Sequence, residues 1–418
     1  MMQDQNHSES ITLSVIEMAR AGQFAEIRDK FLPALRDSVA PEVLQAAWQA
    51  EIGRVGPVVN IGQPSRQTTP TGLQVVTVTG QCEKGTITLI ALVDQDGYLN
   101  GLDLRSSEVQ SNMDHFTEET IDIGQEPWKL PATLTIPRGN GPYPAVVLVH
   151  GSGPNDRDES IGPNKPFLDL AWGLALRQIV VLRYEKRTRV YADPCEDPTQ
   201  FTVEDETIDD VGAAMDALQR VDKVDATKIF ALGHSLGGYV MPRILEKFPK
   251  LAGGVFLAAS YRPLPVVMEE QIQYILALPE TTDQAKESLL AMKAEIPKIT
   301  ALSTHDPRVD APRPMGVPVS YWRDLAEYNP GEVLQSIDRR MFVLQGEADY
   351  QVTLDDFHLW QDAAQRMPKV VFKRYPNLDH LFMLTEEDRA TPATYTRPRQ
   401  VSSQVIEDIA NWLTNSYR

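Results

Sequence analysis

The sequence predicts an α/β fold: a doubly wound, mostly parallel sheet with an inserted helical cap, preceded by a small α+β domain. Three features carry this. From about residue 115 onward, continuous apolar runs alternate with amphipathic ones. That is the pattern of parallel strands covered by helices on both faces. One apolar run, within "FALGHSLGGYV" at 230–240, stops at a glycine-flanked serine and gives way to a helical pattern. The alternation then breaks off over 262–338, a stretch too long for a simple loop, before it resumes.

The elements follow in order. With 418 residues the chain exceeds one ordinary core, which suggests two domains. We place them at 1–112 and 113–418. In the first, "SITLSVIEMARAGQF" has helical spacing and stops near Gly22. "APEVLQAAWQAEIG" starts with Pro41 in a first turn and is expected to end at Gly53. "LQVVTVTG", "GTITLIALVD" and "YLNGLDL" are short β-rich runs separated by Gly and Asp. In the second, "YPAVVLVHG", "IVVLRYE", "KIFALG" and "GGVFLAAS" are strands. Between them lie the helical "FLDLAWGLALRQ", "TIDDVGAAMDALQRV" and "LGGYVMPRILEKF". The segment 262–338 reads as a helical cap over the strand ends. The strand "RRMFVLQG", a helix, the strand "KVVFKRY" and a helix near "SQVIEDIANWLTN" complete the pattern.

Composition narrows the partners. A formal net charge of −18 argues against a nucleic-acid surface or an anionic membrane. No apolar run approaches the ~20 residues that span a bilayer. "MMQDQNHSES" lacks a basic and apolar leader, so a cytoplasmic protein is expected. Cys82 and Cys195 are too far apart in sequence to suggest a disulfide framework. The histidines show no metal-ligand spacing, and no metal or cofactor is expected.

The glycine-flanked serine is explained by the turn it makes. A strand that passes directly into a helix needs a tight corner, and Gly233 and Gly237 lack the β-carbons that would clash there. Ser235 then sits at the apex in a strained conformation, its hydroxyl exposed above the sheet. The next helix directs free N–H groups toward it. A nucleophile whose product oxyanion needs donors requires this geometry.

A serine nucleophile needs a base, and the base needs an orienting carboxylate. Downstream of Ser235 stand His305 in the cap, His358 on an apparent helix, and His380 in the loop "YPNLDHLF". His380 is the choice, because that loop can reach over the sheet end. For the acid, "FVLQGEADYQV" offers Glu347 and Asp349. Asp349 is preferred, since the turn after Gly346 brings it back toward the sheet edge. Asp379 adjoins His380, and sequence neighbours seldom point at each other. The oxyanion donors are expected to be the N–H of Leu236 and, from the loop "HGSGPNDRD", that of Ser152, with Gly153 second. No GK[ST] follows this loop, so it is not a phosphate loop. His150 and His234 read as structural.

Here the match becomes specific. "HGSGPNDRD", "LRYEKRT", "GHSLGG", "SYWRDLAEYNP", "LQGEADYQVTLDDFHLW" and "PNLDHLF" together resemble an α/β-hydrolase of the esterase branch that carries an N-terminal DUF3887-type domain. The front domain matches more loosely. The resemblance implies carboxylesterase activity on small to medium acyl esters. It carries Ser235, Asp349 and His380 over as a triad. Ala348 stands where some relatives have a basic residue.

The expected function is therefore hydrolysis of a small-molecule ester through an acyl-enzyme. A serine peptidase or amidase of the same fold is the alternative. A non-catalytic ligand-binding homologue is the rival from another class, although no triad member is missing. Met268, Ile272, Ile275, Tyr321 and Trp322 of the cap are candidates to line an acyl pocket or equally to pack the cap core. Arg157, Lys186 and Arg187 could bind an acidic substrate group, but the reading preferred is solvated loop charges. The front domain could shape the entrance or mediate a homodimer.

Overall fold

The structure, a computed structural model, describes residues 7–69, 73–83, 85–107, 115–191, 197, 199–302 and 313–415. Cys195 and His305 lie outside the described residues. The chain divides into two units. The first comprises Met1–Asp114 with Ile161–Asn164 and Tyr395–Arg399. The second comprises His115–Ser160, Lys165–Thr394 and Gln400–Arg418.

In the first unit, helix α1 (His7–Arg20) buries Ile11, Val15, Ile16 and Ala19, a single stripe at helical spacing. Helices α2 (Phe24–Arg28) and α3 (Pro41–Val55) follow. Gly53 does not end α3, contrary to expectation. The helix runs past it to a cap at Gly56, whose φ of 78° and ψ of 178° form a conformation open to glycine and not to residues with a side chain. Strands β1 (Val58–Ile61), β2 (Ser65–Thr68), β3 (Gln74–Cys82), β4 (Thr86–Val93) and β5 (Leu99–Ser107) form one antiparallel sheet. In β4 the residues Ile87, Leu89, Ala91 and Val93 are buried and alternate with half-buried ones, a strand with one face on a core. Sequence reading finds β3, β4 and β5. It misses β1 and β2, four residues each, because strands that short carry too little alternation.

The second unit is built around one mixed, mostly parallel sheet. It opens with β6 (Phe116–Ile123) and β7 (Leu130–Pro137), an antiparallel pair that sequence reading also misses. "FTEETIDI" is too polar to stand out, and β7 carries two prolines. The parallel strands are β8 (Tyr143–Val149), β9 (Val180–Tyr184), β10 (Val224–His234), β11 (Gly253–Leu257), β12 (Arg340–Gly346) and β13 (Val370–Tyr375). The sheet order is β13-β12-β11-β10-β8-β9-β7-β6. Residues Ala145–Val149 of β8 are all fully buried, as in a strand covered on both faces.

Helices α4 (Pro166–Ala175), α5 (Arg187–Val190), α6 (Asp209–Gln219), α7 (Leu236–Tyr239) and α8 (Met241–Lys247) connect the first strands. The expected single helix "LGGYVMPRILEKF" is two, α7 and α8, broken at Val240 just before Pro242. The segment between β11 and β12 forms α9 (Leu264–Ala277), α10 (Asp283–Ala301), α11 (Val319–Glu327) and α12 (Pro330–Leu334). Helices α13 (Leu354–Ala363) and α14 (Ser403–Leu413) close the unit.

Sheet register positions the site. The order reverses around β8, which lies between β9 and β10. Such a switch point is where open α/β sheets bind ligands. Gly233 pairs with Val149, so the loops after β10 and β8 leave side by side. Gly346 pairs with Tyr375, so the loops after β12 and β13 do the same.

Candidate active site

Ser235 has φ 52° and ψ −114°, a strained conformation for a residue with a side chain. Its neighbours explain why glycines surround it. A β-carbon on Gly233 would lie 2.3 Å from the Gly237 backbone. One on Gly237 would lie 2.4 Å from the Val149 carbonyl oxygen. The corner is pinned by the Ser235 N–H donating to Leu257 O at 2.9 Å. Strand β8 delivers the next loop against it: a β-carbon on Gly151 would sit 3.2 Å from Ser235 Cβ.

Ser235, Leu236, Ser152 and Gly153 share the wall of a cavity of about 520 Å³. Leu236 is the first residue of α7, where a helix leaves its N–H free. Among the described residues none accepts from the N–H of Ser152 or Leu236. The cap supplies the apolar side. Leu264, Val267, Met268 and Gln271 of α9 reach the cavity at i, i+3, i+4 and i+7. Tyr321 and Trp322 of α11 also line it. Ile272 and Ile275 do not, which corrects the expected acyl-pocket set. Ile272 is buried, but it falls on a stripe of α9 beside the one that faces the cavity. It is a packing residue of the cap.

The loops after β12 and β13 meet because Gly346 has no side chain: a β-carbon there would lie 2.3 Å from Leu378 O. Asp349 and His380 then face each other, with Oδ2 2.7 Å from Nδ1, and both are buried. The other Asp349 oxygen accepts from the N–H of Gln351 at 2.7 Å and Val352 at 3.1 Å. A carboxylate so held accepts only, so the neutral tautomer that fits this contact has its proton on Nδ1 and its lone pair on Nε2. Glu347 is instead a partly exposed partner of Arg374 at 3.6 Å. Asp379 is buried and accepts the N–H of Leu381 and Met383, holding the turn that carries His380. His358 is exposed on α13.

Two histidines read as structural are packed around this site. His150 Nε2 donates to Asp156 O at 3.0 Å, and burial pushes its pKa down to about 4. His234 Nε2 donates to His380 O at 2.9 Å, and its Nδ1 lies 2.9 Å from Glu159 Oε2. Burial opposes charge on His234, but Glu159 outweighs it and the net shift is upward.

Lys186 and Arg187 are not solvated loop charges, as the sequence led us to expect. Both are buried. Lys186 pairs with Glu206 at 2.9 Å and Arg187 with Asp210 at 2.5 Å. Arg157 is half-buried and pairs with Glu185 at 2.7 Å. With their partners already inside the protein, none of the three is left to meet an acidic substrate. Sequence reasoning missed Glu159 and Glu206, because a glutamate in a polar loop or helix carries no local sign of burial. Among the described residues no group of His, Cys, Asp and Glu is arranged to hold a metal ion. No described helix is long and apolar enough to cross a membrane.

The model of the alpha/beta hydrolase family matches residues 146–393. The chain is 36% identical over 350 residues to the esterase EstD of Thermotoga maritima, covering 81% of this chain and 79% of that protein. Among solved structures, an esterase of Pyrococcus furiosus aligns with a TM-score of 0.45 at 15% identity, over 65% of this chain and 87% of that one. Est1E from Butyrivibrio proteoclasticus aligns with a TM-score of 0.45 at 14% identity, over 71% and 98%.

Proposed function

Because the chain belongs to the alpha/beta hydrolase family, we propose that it is a serine carboxylesterase in which Ser235, His380 and Asp349 form the catalytic triad. The identity to a curated esterase over most of both chains supports an ester-hydrolysing enzyme of the carboxylesterase type. The finer reading rests on one observation. Ser235 sits at a strained, glycine-bounded corner on the wall of a cavity, facing open space.

In this reading Ser235 Oγ attacks the acyl carbon and its proton passes to His380 Nε2. Asp349 holds the imidazole in the required tautomer and stabilises the cation that forms. The N–H groups of Leu236 and Ser152 donate to the oxyanion. The tetrahedral intermediate collapses, the C–O bond breaks, and His380 returns the proton to the departing alkoxide. Water then gives a proton to His380 and attacks the acyl-enzyme, releasing the acid and restoring Ser235. The chemistry uses side chains and backbone alone.

The cavity supports small to medium acyl esters as substrates. Leu264, Val267, Met268, Met315 and Trp322 give it apolar walls. Each buried methylene contributes up to about 0.8 kcal/mol, so kcat/KM rises with chain length until a wall is met. The test is Ser235→Ala assayed on p-nitrophenyl acetate and butyrate. Turnover is expected to fall at least about a thousandfold with the circular dichroism spectrum unchanged. Parental rates in the folded variant would exclude Ser235 as nucleophile.

A further inference from the structure

Gly151 is gripped by two buried charges of opposite sign, one on each of the two peptides that meet at it. On one side the Gly151 N–H donates to Glu159 Oε1 at 2.6 Å. On the other the Gly151 carbonyl accepts from Lys186 Nζ at 2.7 Å, with Asn155 Nδ2 a second donor at 3.2 Å. Glu159 is 2% exposed and Lys186 1%. Ionised groups are seldom buried this completely unless something holds them there.

The geometry gives the grip a consequence. The 151–152 peptide bond is trans, so the Gly151 carbonyl and the Ser152 N–H point in opposite directions within one rigid plane. Fixing the carbonyl therefore fixes the direction of the N–H. Gly151 itself lies against Ser235. Both charges have further anchors. Glu159 Oε2 lies 2.9 Å from His234 Nδ1, and His234 donates to the carbonyl of His380. Lys186 also pairs with Glu206 Oε1 at 2.9 Å, and Glu206 Oε2 accepts from Tyr321 Oη of the cap at 2.6 Å. Gly151 is thus tied to the base loop through one charge and to the cavity wall through the other.

We propose that Lys186 and Glu159 are positioning residues for the oxyanion: Lys186 holds the carbonyl of the 151–152 peptide and Glu159 holds the peptide before it through the Gly151 N–H, so that the Ser152 N–H meets the developing negative charge. This rests on the reading of Ser235 as nucleophile and Ser152 as donor given above. Neither residue touches substrate. Their effect belongs to the transition state, where a misaimed donor is felt.

Lys186→Met tests it, with three readouts: kcat and KM on p-nitrophenyl acetate, the inhibition constant of an alkyl trifluoromethyl ketone, and thermal midpoint. The ketone binds as a tetrahedral adduct whose oxyanion needs the same donors. Loss of alignment is expected to lower kcat by about ten- to a hundredfold, approaching the effect of deleting a donor. KM stays within about twofold, and ketone affinity falls by the same factor as kcat/KM. Lys186→Arg, which keeps a cationic donor, recovers part of both. Lys186→Met/Glu206→Gln leaves no unpaired buried charge and keeps an acceptor for Tyr321. It is expected to show the same catalytic loss with better stability. A folded Lys186→Met or double variant with parental kcat and ketone affinity overturns the proposal. Failure of both to fold also counts against it, since Lys186 would then serve folding. Ser235→Ala run alongside separates the two readings. Parental turnover there sinks the nucleophile assignment. Loss there, with a parental Lys186→Met, sinks the positioning role alone.

Discussion

Glu347 and Asp349 stand two positions apart on one turn, yet only Asp349 faces an imidazole. Asp349→Asn is therefore expected to lower kcat by up to about 10⁴-fold, because the amide favours the wrong tautomer of His380. Glu347→Gln should cost little, since its side chain meets an arginine at the surface. Steady-state kinetics of the pair on one ester decides between them, and the reverse ranking would transfer the acid role. The corner itself is equally demanding. Gly233→Ala would drive a β-carbon into the Gly237 backbone at 2.3 Å, where no flexible side chain can give way. That variant should lose both activity and cooperative unfolding, and a folded, active Gly233→Ala would show that the corner is not rigid. At this scale the sequence was informative where chemistry follows spacing: a serine between glycines, and an acid and a histidine just past strand ends. It said nothing of Glu159 or Lys186. Whether a loop charge is buried depends on which loops meet above the sheet, and no local pattern records that.

The cap helices show how a correct element can leave open which stripe is functional. Helix α9 is legible from its apolar spacing, but the sequence leaves Met268 and Ile272 equally able to line a pocket or to pack the cap core. Only Met268 lines the cavity, together with Leu264, Val267 and Gln271. Consecutive stripes of a buried helix are both apolar, and periodicity cannot say which faces a cavity and which faces a neighbouring helix. The difference is testable. Trp322→Ala removes cavity wall and should move the optimum of kcat/KM toward longer acyl chains. Ile272→Ala should leave that profile where it was and instead cost about 2–5 kcal/mol of stability, as for other large-to-small changes in a core. Comparing acetate to laurate esters, with urea unfolding of the same variants, checks both. A shifted profile in Ile272→Ala would return that residue to the pocket.

For the whole molecule the parallel sheet was the most legible feature, because strands buried on both faces read as unbroken apolar runs such as Ala145–Val149. The polar edge strand β6 was not, since an edge strand need bury little, and the buried β7 was not because prolines stand at its second and last positions. Folding around the sheet also buries titrating groups, with a consequence for stability. His150 is held neutral by burial, its pKa pushed down to about 4 against roughly 6.5 in an unfolded chain. The unfolded state therefore binds more protons between these values. The contribution is fully present above pH 6.5 and is lost as pH falls toward 4, with a slope of about 1.4 kcal/mol per pH unit inside the window. His234 acts in the opposite sense. Its pKa is raised, so its contribution is present below pH 6.5 and is lost as pH rises through the folded value. His150→Gln should flatten the acid-side dependence of the urea midpoint, and an unchanged slope between pH 4.5 and 6.5 would contradict this. The central claim, that the corner after β10 presents a nucleophile, is tested most directly by covalent labelling. The protein is treated with a fluorophosphonate and the modified peptide is mapped by mass spectrometry. The account predicts one label per chain, on Ser235, and little label after His380→Ala. Absence of label on Ser235 in the folded, ester-hydrolysing protein, or a label at another serine that abolishes activity, would contradict it.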